Sequence, residues 1–146
     1  IMAHRNPCSV VPSWANMMLQ CLHVRLYNDF SNFFPQCDVM KPANWGRSCL
    51  RQSSDEAKHI ISGRKLIREN HPEKEKRILD ISYSALTSDP INVIREIYEH
   101  FGYNYTPEYE NLLNEYMIAN PKGKHGKISY SLDAFHLTKE MVEQDF

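Results

Sequence analysis

No apolar run of about 18 or more residues occurs in this sequence, so no segment of it reads as a membrane-spanning helix. No basic stretch followed by an apolar one opens it either, so no signal peptide is visible. The first residue is Ile rather than Met, and the sequence therefore reads as part of a longer protein whose targeting segment would lie upstream. Cysteine is sparse: Cys8, Cys21, Cys37 and Cys49 include no CxxC pair and lack the dense spacing of a secreted disulfide scaffold, which makes free thiols the expectation. None of the seven histidines stands at a zinc spacing such as HExxH, and no metal is expected. Charge of one sign is missing as well. Lys and Arg total 17 against 18 Asp and Glu, a formal charge of −1, so no global field draws nucleic acid or anionic lipid and any anion site must be local.

What is present, 42% hydrophobic and 24% charged residues over 146 positions, suits one compact globular unit without repeats or low-complexity tracts. Ile1 to Ala3 reads as the end of a buried strand stopped by Pro7. Val10, Trp14, Met17, Met18, Cys21 and Leu22 then recur as one helical stripe, predicting a helix from Ser9 to Asp29 with Pro12 in its first turn. Residues 31 to 51 hold Pro35, Pro42 and Gly46 and read as a long irregular loop. Ser53 and Glu56 have capping-box spacing, and Ala57, Ile60, Ile61 and Ile67 mark a second amphipathic helix ending near His71-Pro72.

Arg77 to Ser82 is β-prone, and Asp89-Pro90 signals a helix whose face is Ile91, Ile94, Tyr98 and Phe101 and whose stop is Gly102. Thr106-Pro107 opens another, with Leu112, Leu113, Tyr116 and Met117 as its apolar face and Asn120-Pro121 as its end. Strand, turn, helix, strand, helix points to an α/β fold, helix-rich here, with a mostly parallel sheet. Two strands do not complete such a sheet, so the remaining strands are expected before Ile1.

Two clusters carry chemistry. Arg5 sits at a strand end and Ser13 follows in what reads as the first turn of the next helix, where unpaired N–H donors, a hydroxyl and a guanidinium fork together suit a phosphate; equally, Arg5 suits a carboxylate partner and Ser13 a cap. Lys122-Gly123-Lys124-His125-Gly126-Lys127 concentrates positive charge on a loop whose glycines permit positive φ and close backbone approach, although such loops are often plain solvated surface and a nucleic-acid patch is the other alternative. Tyr83, directly after the second strand, suits a nucleotide base or the core.

With those residues in view, the chain resembles the C-terminal part of sulfotransferases that use 3′-phosphoadenosine 5′-phosphosulfate (PAPS). His4-Arg5-Asn6-Pro7 with Ser13 is similar to the family's 3′-phosphate element, and Ile81 to Leu86 with Asp89-Pro90 to its Tyr-Glu-Asp-Leu segment. Lys122-Gly123-Lys124-His125-Gly126 resembles its C-terminal Lys-Gly-x-x-Gly loop. Ser84 and Ala85 depart from the usual acidic pair, and Pro121 stands where many members have Arg. The resemblance implies that residues 1–146 form the C-terminal portion of a single sulfotransferase-type domain, with a partial P-loop-like parallel sheet and flanking helices. It implies PAPS as co-substrate, held at its 3′-phosphate by Arg5, Ser13, Lys122, Gly123 and Lys124, with Tyr83 touching the nucleotide. The acceptor would be a hydroxyl or amine, in the cytosol or Golgi lumen. The family's phosphosulfate loop and catalytic base are not found in the sequence, which leaves a second expectation: a non-catalytic relative that binds adenosine 3′,5′-bisphosphate or a protein partner without turnover.

Overall fold

Two three-residue strands and seven α-helices make up the regular structure in the computed structural model, which describes residues 1–30, 37–124, 126 and 128–146. The fold is α/β and helix-rich with a two-stranded parallel sheet. The described chain forms two compact units, Ile1–Arg5 with Leu66–Ile128, and Asn6–Lys65 with Ser129–Phe146.

In the first unit, β1 (Met2–His4) pairs in parallel with β2 (Asp80–Ser82), in the register Met2 to Asp80, Ala3 to Ile81 and His4 to Ser82. The Met2 N–H extends the ladder to the Leu79 carbonyl at 2.8 Å, and Ile81 is the buried residue of β2. The later helices of this unit are α3 (Pro72–Glu75), α4 (Tyr83–Ser88), α5 (Pro90–Phe101) and α6 (Pro107–Ala119).

The start and stop signals of α5 act as their chemistry dictates. Asp89 accepts from the Asn92 N–H at 3.2 Å, Pro90 takes the first helical position where no N–H is needed, and Gly102 closes the helix at φ 69° with the Tyr103 N–H bonded to the Tyr98 carbonyl. Thr106 caps α6 in the same manner through the Tyr109 N–H, and Tyr109 stacks on Tyr98 with ring centroids 5.1 Å apart. Arg95 of α5 and Glu110 of α6 pair at 2.7 Å, and that guanidinium hydrogen bond holds the Glu110 carboxyl below its usual range. Of the α6 face expected to be buried, only Leu113 is half-buried; Leu112, Tyr116 and Met117 are exposed, at 61%, 64% and 41%.

The second unit carries the main core, in which Val11, Ala15, Cys49, Leu50, Phe135, Leu137 and Val142 cluster with Trp14, Trp45 and Met141 packed against them. Its helices are α1 (Pro7–Phe30), α7 (Lys139–Asp145) and α2 (Pro42–Asn70), whose last residues belong to the first unit, with single 3-10 turns at Asp38–Met40 and Asp133–Phe135.

Three expectations change here. First, α1 starts at Pro7, so Pro12 lies in its second turn, where it lacks the N–H that would bond the Cys8 carbonyl. The buried residues of α1 are Val11, Pro12 and Ala15, with Cys8, Trp14 and Leu19 half-buried against the core; Met17 and Cys21, expected on the core face, are exposed.

Second, residues 42–51 are helical, not loop, while 31–36 fall outside the described residues. Pro42 is the first residue of α2, and Gly46, Cys49, Leu50 and Ser54 are its buried positions. Third, Ser53 therefore caps nothing, and Ile60 and Ile61 stand exposed rather than lining a buried face. The turn of chain read as a start signal is interior helix, with neighbouring Ser54 donating its hydroxyl to the Asp145 carbonyl at 2.6 Å. The four cysteines are free.

Candidate functional site

Parallel pairing sets the site. In open α/β sheets ligands gather at the carboxyl ends of adjacent strands, where the following loops and helix starts converge. His4 and Ser82 are the paired last residues of β1 and β2, so Arg5 and Tyr83, far apart in sequence, are the first residues beyond one shared sheet edge. The Arg5 guanidinium lies over the Tyr83 ring, 4.4 Å from its centroid. A cation over a ring face at this distance is electrostatically attractive. Tyr83 keeps 39% of its surface exposed, so the pair is open to solvent.

Beneath it, a His4 ring nitrogen and the Asp80 carboxylate meet at 2.5 Å across the two strands. That contact bridges the two strands diagonally, from the last residue of β1 to the first of β2. The sequence names His4 only as part of the His4-Arg5-Asn6-Pro7 element and does not single out Asp80. The available signal was their position, one and three residues ahead of the two site residues on strands of alternating side-chain direction.

The lysine loop adopts the backbone its glycines were expected to allow: Gly123 has φ 87° and Gly126 φ 95°. The Lys124 N–H bonds the Pro121 carbonyl at 3.0 Å and the Gly126 N–H bonds the Gly123 carbonyl at 2.9 Å, so these two donors close the turn instead of lining an anion cradle. Lys124 also turns its ammonium back onto the end of α6, donating to the Ala119 carbonyl at 2.9 Å and to Asn120 Oδ1 at 3.1 Å. That is a favourable place for a cation, at the negative end of the helix. Lys122 is exposed. His125 and Lys127, named with this loop, lie outside the described residues.

Ser13 does not stand where expected. It is the seventh residue of α1 rather than a first-turn residue, half-buried, and it belongs to the second unit, whereas Arg5, Tyr83, Lys122, Gly123 and Lys124 belong to the first. The α1 start is also less open to an anion than the spacing implied. Pro7 has no N–H, the Cys8 N–H bonds Asn6 Oδ1 at 2.8 Å and the Ser9 N–H bonds the Asn6 carbonyl at 2.9 Å. Asn6, an ordinary helix-capping residue type, takes these donors for itself.

Among the described residues no group of three or more His, Cys, Asp or Glu side chains is placed to hold a metal ion, and no helix is long and apolar enough to cross a membrane. Comparison with protein-family models, with curated proteins and with solved structures finds no match for this chain.

Proposed function

We propose that this chain is the part of a PAPS-dependent sulfotransferase that grips the 3′-phosphate of the nucleotide. The observation that carries this reading is the Arg5–Tyr83 pair, formed by members of two separate motifs at the carboxyl edge of two parallel strands. Arg5, whose guanidinium carbon stands 4.4 Å from the Tyr83 ring centroid, carries the fork of N–H donors that matches two oxygens of a phosphate dianion. Tyr83 serves as the platform for Arg5, and its exposed edge is available to the nucleotide. Lys122 adds a second, flexible positive charge from the loop after α6, and Gly123 allows the backbone there to approach closely. Lys124 acts on the same loop from the inside by fastening it to the end of α6. The finer fold implied, a sulfotransferase-type sheet flanked by helices, is part of the same proposal, supported by the parallel β1–β2 pair.

When bound, PAPS supplies a sulfuryl group whose bond to the 5′-phosphate oxygen breaks as an acceptor oxygen or nitrogen bonds to sulfur, leaving adenosine 3′,5′-bisphosphate. The residues named here bind and orient the far end of that nucleotide. Because none of them is assigned to the sulfur, binding without turnover is the second reading for the chain by itself.

Two substitutions test the assignment by calorimetric titration. Each hydrogen bond to a charged group is worth about 1.5–3 kcal/mol, so Arg5→Ala should weaken adenosine 3′,5′-bisphosphate binding at least about tenfold. Lys122→Ala should weaken it less, and neither should alter the affinity for adenosine 5′-monophosphate. Equal losses for both nucleotides would remove Arg5 and Lys122 from the 3′-phosphate.

A further inference from the structure

Two arginines outside the nucleotide reading define a second site. Arg47 and Arg51 are one helical turn apart on α2, so their Cβ atoms stand about 5–6 Å apart on the same face. Both are exposed, and neither has an ion pair or hydrogen bond among the described residues. They border a cleft of about 280 Å³ that is completed by Leu50 below and by Met141, Gln144 and Asp145 of α7. That volume is just below the roughly 300–1,000 Å³ usual for small-molecule clefts, room for a single ring.

The cleft is built on fixed parts. Leu50 is buried in the core, the Ser54 hydroxyl bonds the Asp145 carbonyl at 2.6 Å, and the Trp45 indole N–H bonds the Ala15 carbonyl at 2.9 Å. Both walls are therefore held, while the guanidinium heads have no ion pair or hydrogen bond among the described residues. Two positive charges meet one carboxylate, Asp145, in a chain whose formal charge is −1.

We propose that this cleft between α2 and α7 binds a small hydroxylated anion, a single-ring ligand carrying a carboxylate or sulfate group together with free hydroxyls. The two guanidinium groups take the oxyanion, for which paired N–H forks are the matched donors. The Asp145 carboxylate and the Gln144 amide take the hydroxyls, since a carboxylate accepts from O–H and an amide both donates and accepts. Leu50 and Met141 cover the apolar side of the ring. A bare inorganic anion is a poorer fit, because Asp145 repels it and offers it no donor to accept from.

NMR observation of the arginine Nε–H resonances tests this on the whole chain, with glucuronate, glucose 6-sulfate, glucose and inorganic sulfate as probes. Glucuronate or glucose 6-sulfate should shift the Arg47 and Arg51 resonances saturably with a dissociation constant below about 10 mM, at least tenfold tighter than glucose or inorganic sulfate. Which of the two wins tells carboxylate from sulfate. Arg47→Gln and Arg51→Gln should each cost about tenfold, and Arg5→Ala nothing, which separates this site from the nucleotide proposal. Asp145→Asn should weaken the ring-bearing anions while strengthening inorganic sulfate. Arginine resonances that do not move, an equal response to inorganic sulfate, or unchanged binding in the Gln variants would each overturn the proposal.

Discussion

Replacing Gly46 by alanine should destabilise the second unit even though alanine is the better helix former. Within a helix the exchange gains about 0.5–1 kcal/mol from backbone entropy. Against that, a Cβ at position 46 would stand 2.5 Å from the Phe135 carbonyl oxygen and 2.7 Å from the Phe135 Cβ. These obstacles are on or next to the backbone and do not rotate away. Phe135 is itself buried in the core, next to His136 in the left-handed region at φ 53°. Shifting it opens the cluster around Leu137 and Val142. Overpacking costs about 1–3 kcal/mol, and two contacts on or next to the backbone place this case in the upper part, about 2–3 kcal/mol, so the net loss is about 1–2.5 kcal/mol.

Gly63 provides the control, because it lies in the same helix with nothing within 4 Å of an added Cβ. Gly63→Ala should stabilise by about 0.5–1 kcal/mol. The chain's two tryptophans, Trp14 and Trp45, both pack on this core, so urea denaturation followed by tryptophan fluorescence reads the relevant unit directly. A Gly46→Ala protein as stable as the wild type would refute the close contact of α2 with Phe135. A destabilising Gly63→Ala would refute the continuity of α2 through that position.

Leu137→Ala removes a fully buried side chain and should cost about 2–5 kcal/mol in the same fluorescence experiment. Asp89→Ala removes the cap from the Asn92 N–H and should cost about 0.5–2 kcal/mol, read by hydrogen exchange at the first turn of α5. The Arg95 pair gives the first unit a defined acid response. Since Glu110 has its carboxyl lowered from 4.5 in the folded state, its contribution to stability is present above that value and is lost as the pH falls through the lowered one. Glu110→Gln should flatten that part of the acid unfolding curve, and an unchanged curve would show the pair to be inert.

Legibility followed the range of the interactions involved. The α5 and α6 starts were readable because Asp89-Pro90 and Thr106-Pro107 satisfy their own helix ends within three residues, and Gly102 does the same at the α5 stop. The start of α2 was not, because Pro42 and Gly46 look like loop residues until Phe135, some ninety positions later, is known to press against Gly46. The α7 segment went unread for a similar reason: Thr138 caps it through the Met141 N–H, but its packing against α1 is a long-range contact. At the candidate site, Arg5 and Tyr83 were each readable as residues after a strand, whereas their stacking depended on the parallel register of two strands nearly eighty positions apart. Lys124 was readable as charge and not as a helix cap, since folding back onto Ala119 is a property of the turn that Gly123 and Gly126 shape.

We propose that Arg5, beside Tyr83 and with the lysine loop, recognises a 3′-phosphate. Calorimetric titration of the wild-type chain with adenosine 3′,5′-bisphosphate and with adenosine 5′-monophosphate tests it most directly. The bisphosphate should bind at least about tenfold more tightly, the worth of one charge-assisted bidentate contact. Equal affinities, or no binding of either nucleotide, would contradict it.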